Sequence, residues 1–163
     1  MKIIFGSDHA GWHLKQTLIP FVEDLGYEVE DKGAFEYRPE DDYPDYIAPV
    51  AEDVSREPEV NRGIVLGGSG QGEAMLANRF PAVRAVVFNG QYDPGDGRDI
   101  PHEITLSREH NDSNVLSLGA RFLNEEEAKQ AVSQWLTTSF SGDERHRRRL
   151  RKIESITKRI SKN

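Results

Sequence analysis

The chain has 163 residues, 36% hydrophobic and 30% charged, enough for one compact domain with a real core. It contains no cysteine, which excludes disulfides, thiolate nucleophiles and cysteine-ligated metals, so a catalytic base has to be a carboxylate or a histidine. No basic-then-apolar N-terminal segment and no apolar run approaching about twenty residues is present, so the expected location is the cytoplasm, with no membrane partner.

The formal charge of −7 hides an asymmetry. Residues 144–163 carry nine Lys/Arg and two Glu, whereas residues 1–143 carry 12 basic and 26 acidic side chains. A basic tail on an acidic body can bind nucleic acid, dock on an acidic neighbour or hold a phosphate. The tail has no aromatic residue on which bases could stack, which argues against nucleic acid.

Taken in chain order, Lys2 to Phe5 reads as a short buried strand. Gly11 to Leu25 reads as an amphipathic helix, with Leu14, Leu18, Phe21 and Leu25 on one face and Gly26 at its end. Tyr27 to Asp31 alternates as a second strand, and Tyr43-Pro44 marks the start of a helix that runs from Pro44 to Arg56. A strand from Gly63 to Leu66, a helix from Gly72 to Arg79 and a strand from Arg84 to Phe88 follow. Ile104 to Glu109 is expected to be helical, Val115 to Leu118 a strand, and Glu125 to Leu136 a helix. Gly142 precedes a last helix from Asp143 to Ile160.

Short apolar strands alternating with helices predict an α/β fold: one domain over residues 1–163, a three-layer α/β/α sandwich on a five-stranded parallel sheet. Ligands in such folds collect at the carboxyl ends of strands where the crossover direction switches. That rule selects Ser7-Asp8-His9, the GGSGQGE run that opens at Gly67, and the long segment from Asn89 to Asn111.

The stretch RGIVLGGSGQGEAMLANRF, Arg62 to Phe80, is the most informative of the three. A loop so poor in side chains lets a ligand approach the backbone, and N–H groups at the start of the following helix would face it. Glu73 at the rim supplies a possible base, although a first-turn carboxylate is also favoured by the helix dipole alone. The run lacks the lysine and Ser/Thr of a P-loop, and no register gives the dinucleotide-binding glycine spacing. Asp8 and His9 follow a buried strand directly; an aspartate capping a helix beside a solvent-facing histidine would look the same. His110 and Asn111 lie in a polar cluster that a simple turn could also produce. Arg145 and Arg149 are four apart and share a helix face, as phosphate-binding arginines or a solvated charge run would.

The combination is more specific than its parts. FGSDHAGWHLK, DDYPDYI, GIVLGGSGQGEAMLANRF, SREHNDSNVLSLGARF and ERHRRRLRKI occur in this order over about residues 1–155. Together they resemble the ribose-5-phosphate isomerase B family, which includes galactose-6-phosphate isomerase subunits and allose-phosphate isomerases. The resemblance implies a Rossmann-like homodimer, or a tetramer, whose active sites are shared between subunits and whose C-terminal helix docks on the partner. It implies a sugar-phosphate substrate, with ribose 5-phosphate or a six-carbon phosphate both open, and no nucleic acid partner. A non-catalytic sugar-phosphate-binding protein is disfavoured, since binding alone needs no base.

Many members of that family use a cysteine at the end of the third strand as base. This chain has Gly67 there, and the resemblance is to the other form, in which GGSGxGE places the base on the glutamate, Glu73. The backbone of Gly68, Ser69, Gly70, Gln71 and Gly72 would hold the developing oxyanion, with the Ser69 hydroxyl on a substrate oxygen. The resemblance makes His110 the ring-opening proton donor, places Asp8 and Asn111 on sugar oxygens, and gives Arg145, Arg149, Arg121 and His9 to the phosphate. Moving a proton between two carbons chemically requires no metal or redox cofactor, so neither is expected. The segment NGQYDPGDGRDIPHE is longer than the family usually has; its glycines, prolines and aspartates predict a surface loop that either reshapes the pocket or leads away from it. Asp93, Asp96 and Asp99 do not complete a calcium-binding loop.

Overall fold

Unbroken apolar runs form the central strands, as expected where both faces of a parallel sheet are covered. In the computed structural model, which describes residues 1–160, the elements alternate as follows. They are β1 (Lys2–Ser7), α1 (His9–Asp24), β2 (Glu28–Asp31), α2 (Pro44–Arg56), β3 (Asn61–Gly67), α3 (Gln71–Ala77), β4 (Ala85–Phe88), α4 (Glu103–Glu109), β5 (Val115–Gly119), α5 (Glu125–Thr137) and α6 (Glu144–Ile160). The last three residues of the expected domain, including Lys162 of the basic tail, lie outside the described residues.

All five strands are parallel, in the order β2-β1-β3-β5-β4. Alternation along the strands divides the core. Ile3 and Phe5, Ile64 and Leu66, and Leu116 and Leu118 face α1, α4 and α5 around the fully buried Trp135. Ile4, Val65 and Val115 face Ile47, Val50, Ala51 and Val54 of α2 and Ala77 of α3. This is the expected three-layer sandwich. The chain turns one way from β1 to β2 and the other way from β1's far side to β3, so a crevice opens at the carboxyl ends of β1 and β3.

Two local details differ from the sequence reading. Helix α1 starts two residues earlier than expected, because Asp8 Oδ1 accepts from the Ala10 and Gly11 N–H groups at 3.0 and 3.3 Å. Its buried face is Gly11, Leu14, Lys15, Leu18 and Val22, whereas Leu25 is exposed and Phe21 only partly covered. The face rotates because Gly11 packs against β3, where a Cβ would stand 2.6 Å from the Leu66 backbone, and because Lys15 finds a buried partner. The Lys15 ammonium donates to Asp31 at 2.6 Å and to the Ala34 carbonyl at 2.8 Å. Helix α5 opens with a capping box in which Asn124 and Glu127 exchange side-chain and backbone hydrogen bonds.

Helix α6 is nearly unburied. Of its residues only His146 is buried, and Ile153, Ile156 and Ile160 are exposed. Residues 89–102 contain no regular structure and are mostly exposed, as the glycine and proline content predicts.

Candidate active site

The glycine-rich loop at the end of β3 is clamped through its carbonyls. Gly67 C=O accepts from the Ala120 N–H at 2.9 Å and Gly68 C=O from the Arg121 N–H at 3.2 Å. Ser69 C=O accepts from Asn89 Nδ2 at 3.1 Å, and Gly70 C=O from the buried Ser117 hydroxyl at 2.7 Å. Four successive carbonyls are thus engaged on the side of β5 and its continuation. A planar trans peptide points the next residue's N–H the opposite way, so those of Gly68, Ser69, Gly70 and Gln71 face away from β5. Among the described residues, the Ser69 and Gly70 N–H groups meet no protein acceptor. Gly70 sits in the left-handed region at φ 72°, the turn that lets a run of N–H groups converge on one anion.

Glu73 lies in the first turn of α3 and is only 4% exposed. Its carboxylate occupies the space over Gly67, where an added Cβ would overlap it. Burial is the main cause that pushes its carboxyl above the usual range; the nearby Asp8 adds to the rise and its own backbone N–H opposes it. Glu73 is therefore a dry carboxylate with a raised proton affinity, beside a row of outward N–H groups. Gly72 lies against the Tyr43 ring, where an added Cβ would stand 2.9 Å from Tyr43 Cζ and make the ring shift. Tyr43, expected only to mark the start of α2, walls this flank of the loop.

Across the crevice, Asp8 caps α1 and is buried, and burial raises its carboxyl above the usual range. His9 is held by Asp41, whose Oδ1 lies 2.7 Å from His9 Nδ1 and accepts from the His9 backbone N–H at 2.9 Å. One atom each of Asp8, His9 and Asp41 fall within 4.8 Å of one another, a donor set that could hold a cation. Here Asp8 Oδ1 and Asp41 Oδ1 are already engaged by α1 and by His9. Arg121 is exposed and lies over the loop, with Cζ 3.0 Å from where a Gly68 Cβ would be.

His110, Asn111, Arg145 and Arg149 are elsewhere in the chain. The strand-end rule expects the whole Asn89–Asn111 segment at the carboxyl edge; its first part is there, with His102 stacked on Phe88 at the end of β4, but its last residues are not. Helix α4 carries the chain to the opposite edge, where Asp112 pairs with Arg84 and Asn114 N–H bonds to the Arg84 carbonyl, just before β4 and β5 begin. The five residues of β5, about 16 Å at the usual strand rise, separate the two ends. At this second edge His110 stacks on His146, with ring centroids 4.2 Å apart and planes 13° apart. Arg145 Nε donates to His146 Nε2 at 3.1 Å. Burial, then the neighbouring His110, lowers the His146 imidazole below the usual histidine range, and the bond from Arg145 requires a bare, accepting Nε2. His146 was not singled out in the sequence because it reads as part of the ERHRRRLRKI charge run.

Residues 3–153 match the family model described as Ribose/Galactose Isomerase. The chain belongs to the ribose/galactose isomerase family. A family relative from Escherichia coli named ribose-5-phosphate isomerase B is 39% identical, over 97% of each chain. Its counterpart of the same name from Mycolicibacterium paratuberculosis is 37% identical, over 92% of this chain and 87% of the other. Among solved structures of the family, ribose-5-phosphate isomerase B from Mycoplasma genitalium with bound ribulose-5-phosphate superposes with a TM-score of 0.87 at 31% identity, over 96% of each chain. The Clostridium thermocellum ribose-5-phosphate isomerase B superposes at 0.86 with 39% identity, over 98% of this chain and 99% of that one.

Proposed function

We propose that this protein is an aldose–ketose isomerase that interconverts ribose 5-phosphate and ribulose 5-phosphate through an enediolate, with Glu73 as the base. The family membership, and a solved relative that holds ribulose-5-phosphate, support the reaction and substrate. The observation that carries the choice of base is the buried Glu73 carboxylate lying over Gly67, beside the N–H row of the loop.

In the aldose-to-ketose direction the Glu73 carboxylate takes the C2 proton of the open-chain sugar and later delivers it to C1. Partial desolvation raises its basicity toward that of a useful catalyst at neutral pH, the direction seen here. Charge that develops on the substrate oxygens faces the N–H groups of Gly68 to Gln71, fixed before the substrate arrives by their clamped carbonyls. The Ser69 hydroxyl and Asp8 bond the sugar, and His9 and Arg121 receive the phosphate.

His110 and Asn111 serve the same site from a second copy of the chain, together with Arg145 and Arg149. Within one chain they stand at the wrong edge of the sheet to meet Glu73. The exposed Ile153, Ile156 and Ile160 stripe of α6 supplies a docking face; each isoleucine is about half covered already, so its removal from water on a partner contributes about 1 kcal/mol. Two arginines four apart on that helix then reach a phosphate held by the other copy.

The test is turnover of five- and six-carbon aldose phosphates side by side, for the wild type and Glu73→Gln. Ribose 5-phosphate is expected to be turned over best. The glutamine variant is expected to bind substrate and lose about 10²–10⁴-fold in kcat, the usual share of a general base. A hexose phosphate preference rejects the pentose reading, and full turnover by the variant rejects Glu73 as base.

A further inference from the structure

We propose that Asn89 is a positioning residue for the isomerisation: its side-chain amide pins the Ser69 carbonyl toward β5 and so aims the Gly70 N–H at the developing enediolate oxygen. The inference rests on the isomerase reading of the loop and adds a residue from a different strand to it.

Of the four clamped carbonyls, those of Gly67 and Gly68 are bonded by the backbone after β5, as an extension of the sheet ladder. That of Gly70 is also the first acceptor of α3, bonded by the Ala74 N–H at 3.1 Å in addition to Ser117. The Ser69 carbonyl has neither support. Its partner among the described residues is Asn89 Nδ2, 3.1 Å away at the end of β4, 20 residues along the chain. Rotation of the Ser69–Gly70 peptide is therefore governed by this side chain. Since the peptide is planar, turning the carbonyl out would turn the Gly70 N–H in, away from the substrate.

The amide has no freedom to reverse. The Ser69 carbonyl only accepts, so Nδ2 has to face it, and Oδ1 is left buried without a hydrogen-bond partner. Oδ1 instead fills the space over Gly119, where an added Cβ would overlap it. A buried oxygen without a partner is unfavourable for folding alone. Its retention fits a side chain placed for its other end. Asn89 also opens the long irregular segment, most of which is exposed.

The experiment compares wild type, Asn89→Asp and Asn89→Ala with ribose 5-phosphate, measuring kcat, KM, melting temperature and inhibition by a hydroxamate analogue of the five-carbon phosphate that mimics the enediolate. Asn89→Asp keeps the shape but replaces the donor by a carboxylate. The expected result is a fall in kcat of about tenfold to a hundredfold, less than loss of an oxyanion donor itself, with KM within about twofold. The inhibition constant of the hydroxamate should weaken in proportion to kcat. Gly119→Ala, whose Cβ would overlap Asn89 Oδ1 and stand 2.9 Å from the Ser69 carbonyl oxygen, disturbs the same contact and should reproduce the pattern. Unchanged kcat in both Asn89 variants overturns the proposal, and so does a parallel collapse of KM, kcat and melting temperature, which marks a purely structural role. If wild type turns over no sugar phosphate, the isomerase reading itself has failed.

Discussion

Gly67 and Glu73 share one space: the carboxylate of the second lies where any side chain on the first would begin. A base can therefore reach this point from the end of β3 or from the first turn of α3, but not from both. Gly67→Ala should displace the Glu73 carboxylate and lower kcat by about 10²-fold or more, because a base moved out of reach loses its contribution. The double variant Gly67→Cys, Glu73→Ala places a thiol at the same position in the space that the shortened residue vacates. It should recover measurable turnover that iodoacetamide then abolishes, whereas Glu73→Ala alone should be inactive and indifferent to the reagent. Initial rates on ribose 5-phosphate before and after alkylation check this.

The raised proton affinity of Glu73 carries a stability consequence with a definite sign. Its carboxyl holds a proton more tightly in the folded chain than in the unfolded one, because burial disfavours the charged form. Stability from this group is complete below the ordinary carboxylate range and declines as pH rises through the raised value. At neutral pH the ionised, buried carboxylate is a cost that Glu73→Gln removes. The glutamine variant should melt higher than wild type at pH 7, by roughly 2–4 °C for each kcal/mol released, and the gain should vanish near pH 4. A variant that is less stable at pH 7 would contradict the burial seen here. On the activity side, kcat should fall on the acid limb as Glu73 is protonated.

Much of this fold was legible because its signals are local. Tyr43-Pro44 set the start of α2, and the apolar runs of β1, β3 and β5 had no other use. Asp8 was readable as a cap from its place before a helix, and it caps as that reading allowed. What could not be read depends on distant partners. The clamp on the loop joins Gly70 to Ser117 and Ser69 to Asn89, 47 and 20 residues apart, and nothing in the local sequence marks either pair. His110 was placed at the wrong edge because the strand-end rule does not say how far a following helix will carry its last residues. His146 and Asp41 were hidden by neighbours of like kind, a histidine among arginines and an aspartate among aspartates.

Asp41 leads to a third prediction. Its Oδ1 receives both the backbone N–H and the ring of His9, and carboxylates accept only, so His9 Nδ1 carries the proton and Nε2 is the nitrogen available to a ligand. Asp41→Ala frees the ring to rotate. It should raise KM for ribose 5-phosphate by about tenfold, the equivalent of one charge-assisted hydrogen bond, with little change in kcat. Asp41→Asn keeps an acceptor in place and should fall between. Nitrogen-15 spectra of the His9 ring provide a check independent of turnover, since the wild type should show the Nδ1–H form or the fully protonated ring, and the alanine variant a mixture of tautomers.

The separation of Glu73 from His110 within one chain makes the last prediction. If each site takes Glu73 from one copy and His110 from another, a Glu73→Gln subunit and a His110→Asn subunit are each inactive with themselves. In a mixed dimer one site receives both defects and the other neither, because every defect is confined to the site its residue serves. Random reassociation of equal amounts gives mixed dimers as half of the population, so activity should return to about a quarter of wild type. The quarter should appear only after the subunits have been dissociated and allowed to exchange, and the KM of the recovered activity should equal that of the wild type. Sites complete within a single chain would give no recovery at any mixing ratio. Removing the α6 contact by Ile153→Asp with Ile156→Asp should abolish the recovery together with the dimer, since two charges cannot be buried unpaired in an apolar seam.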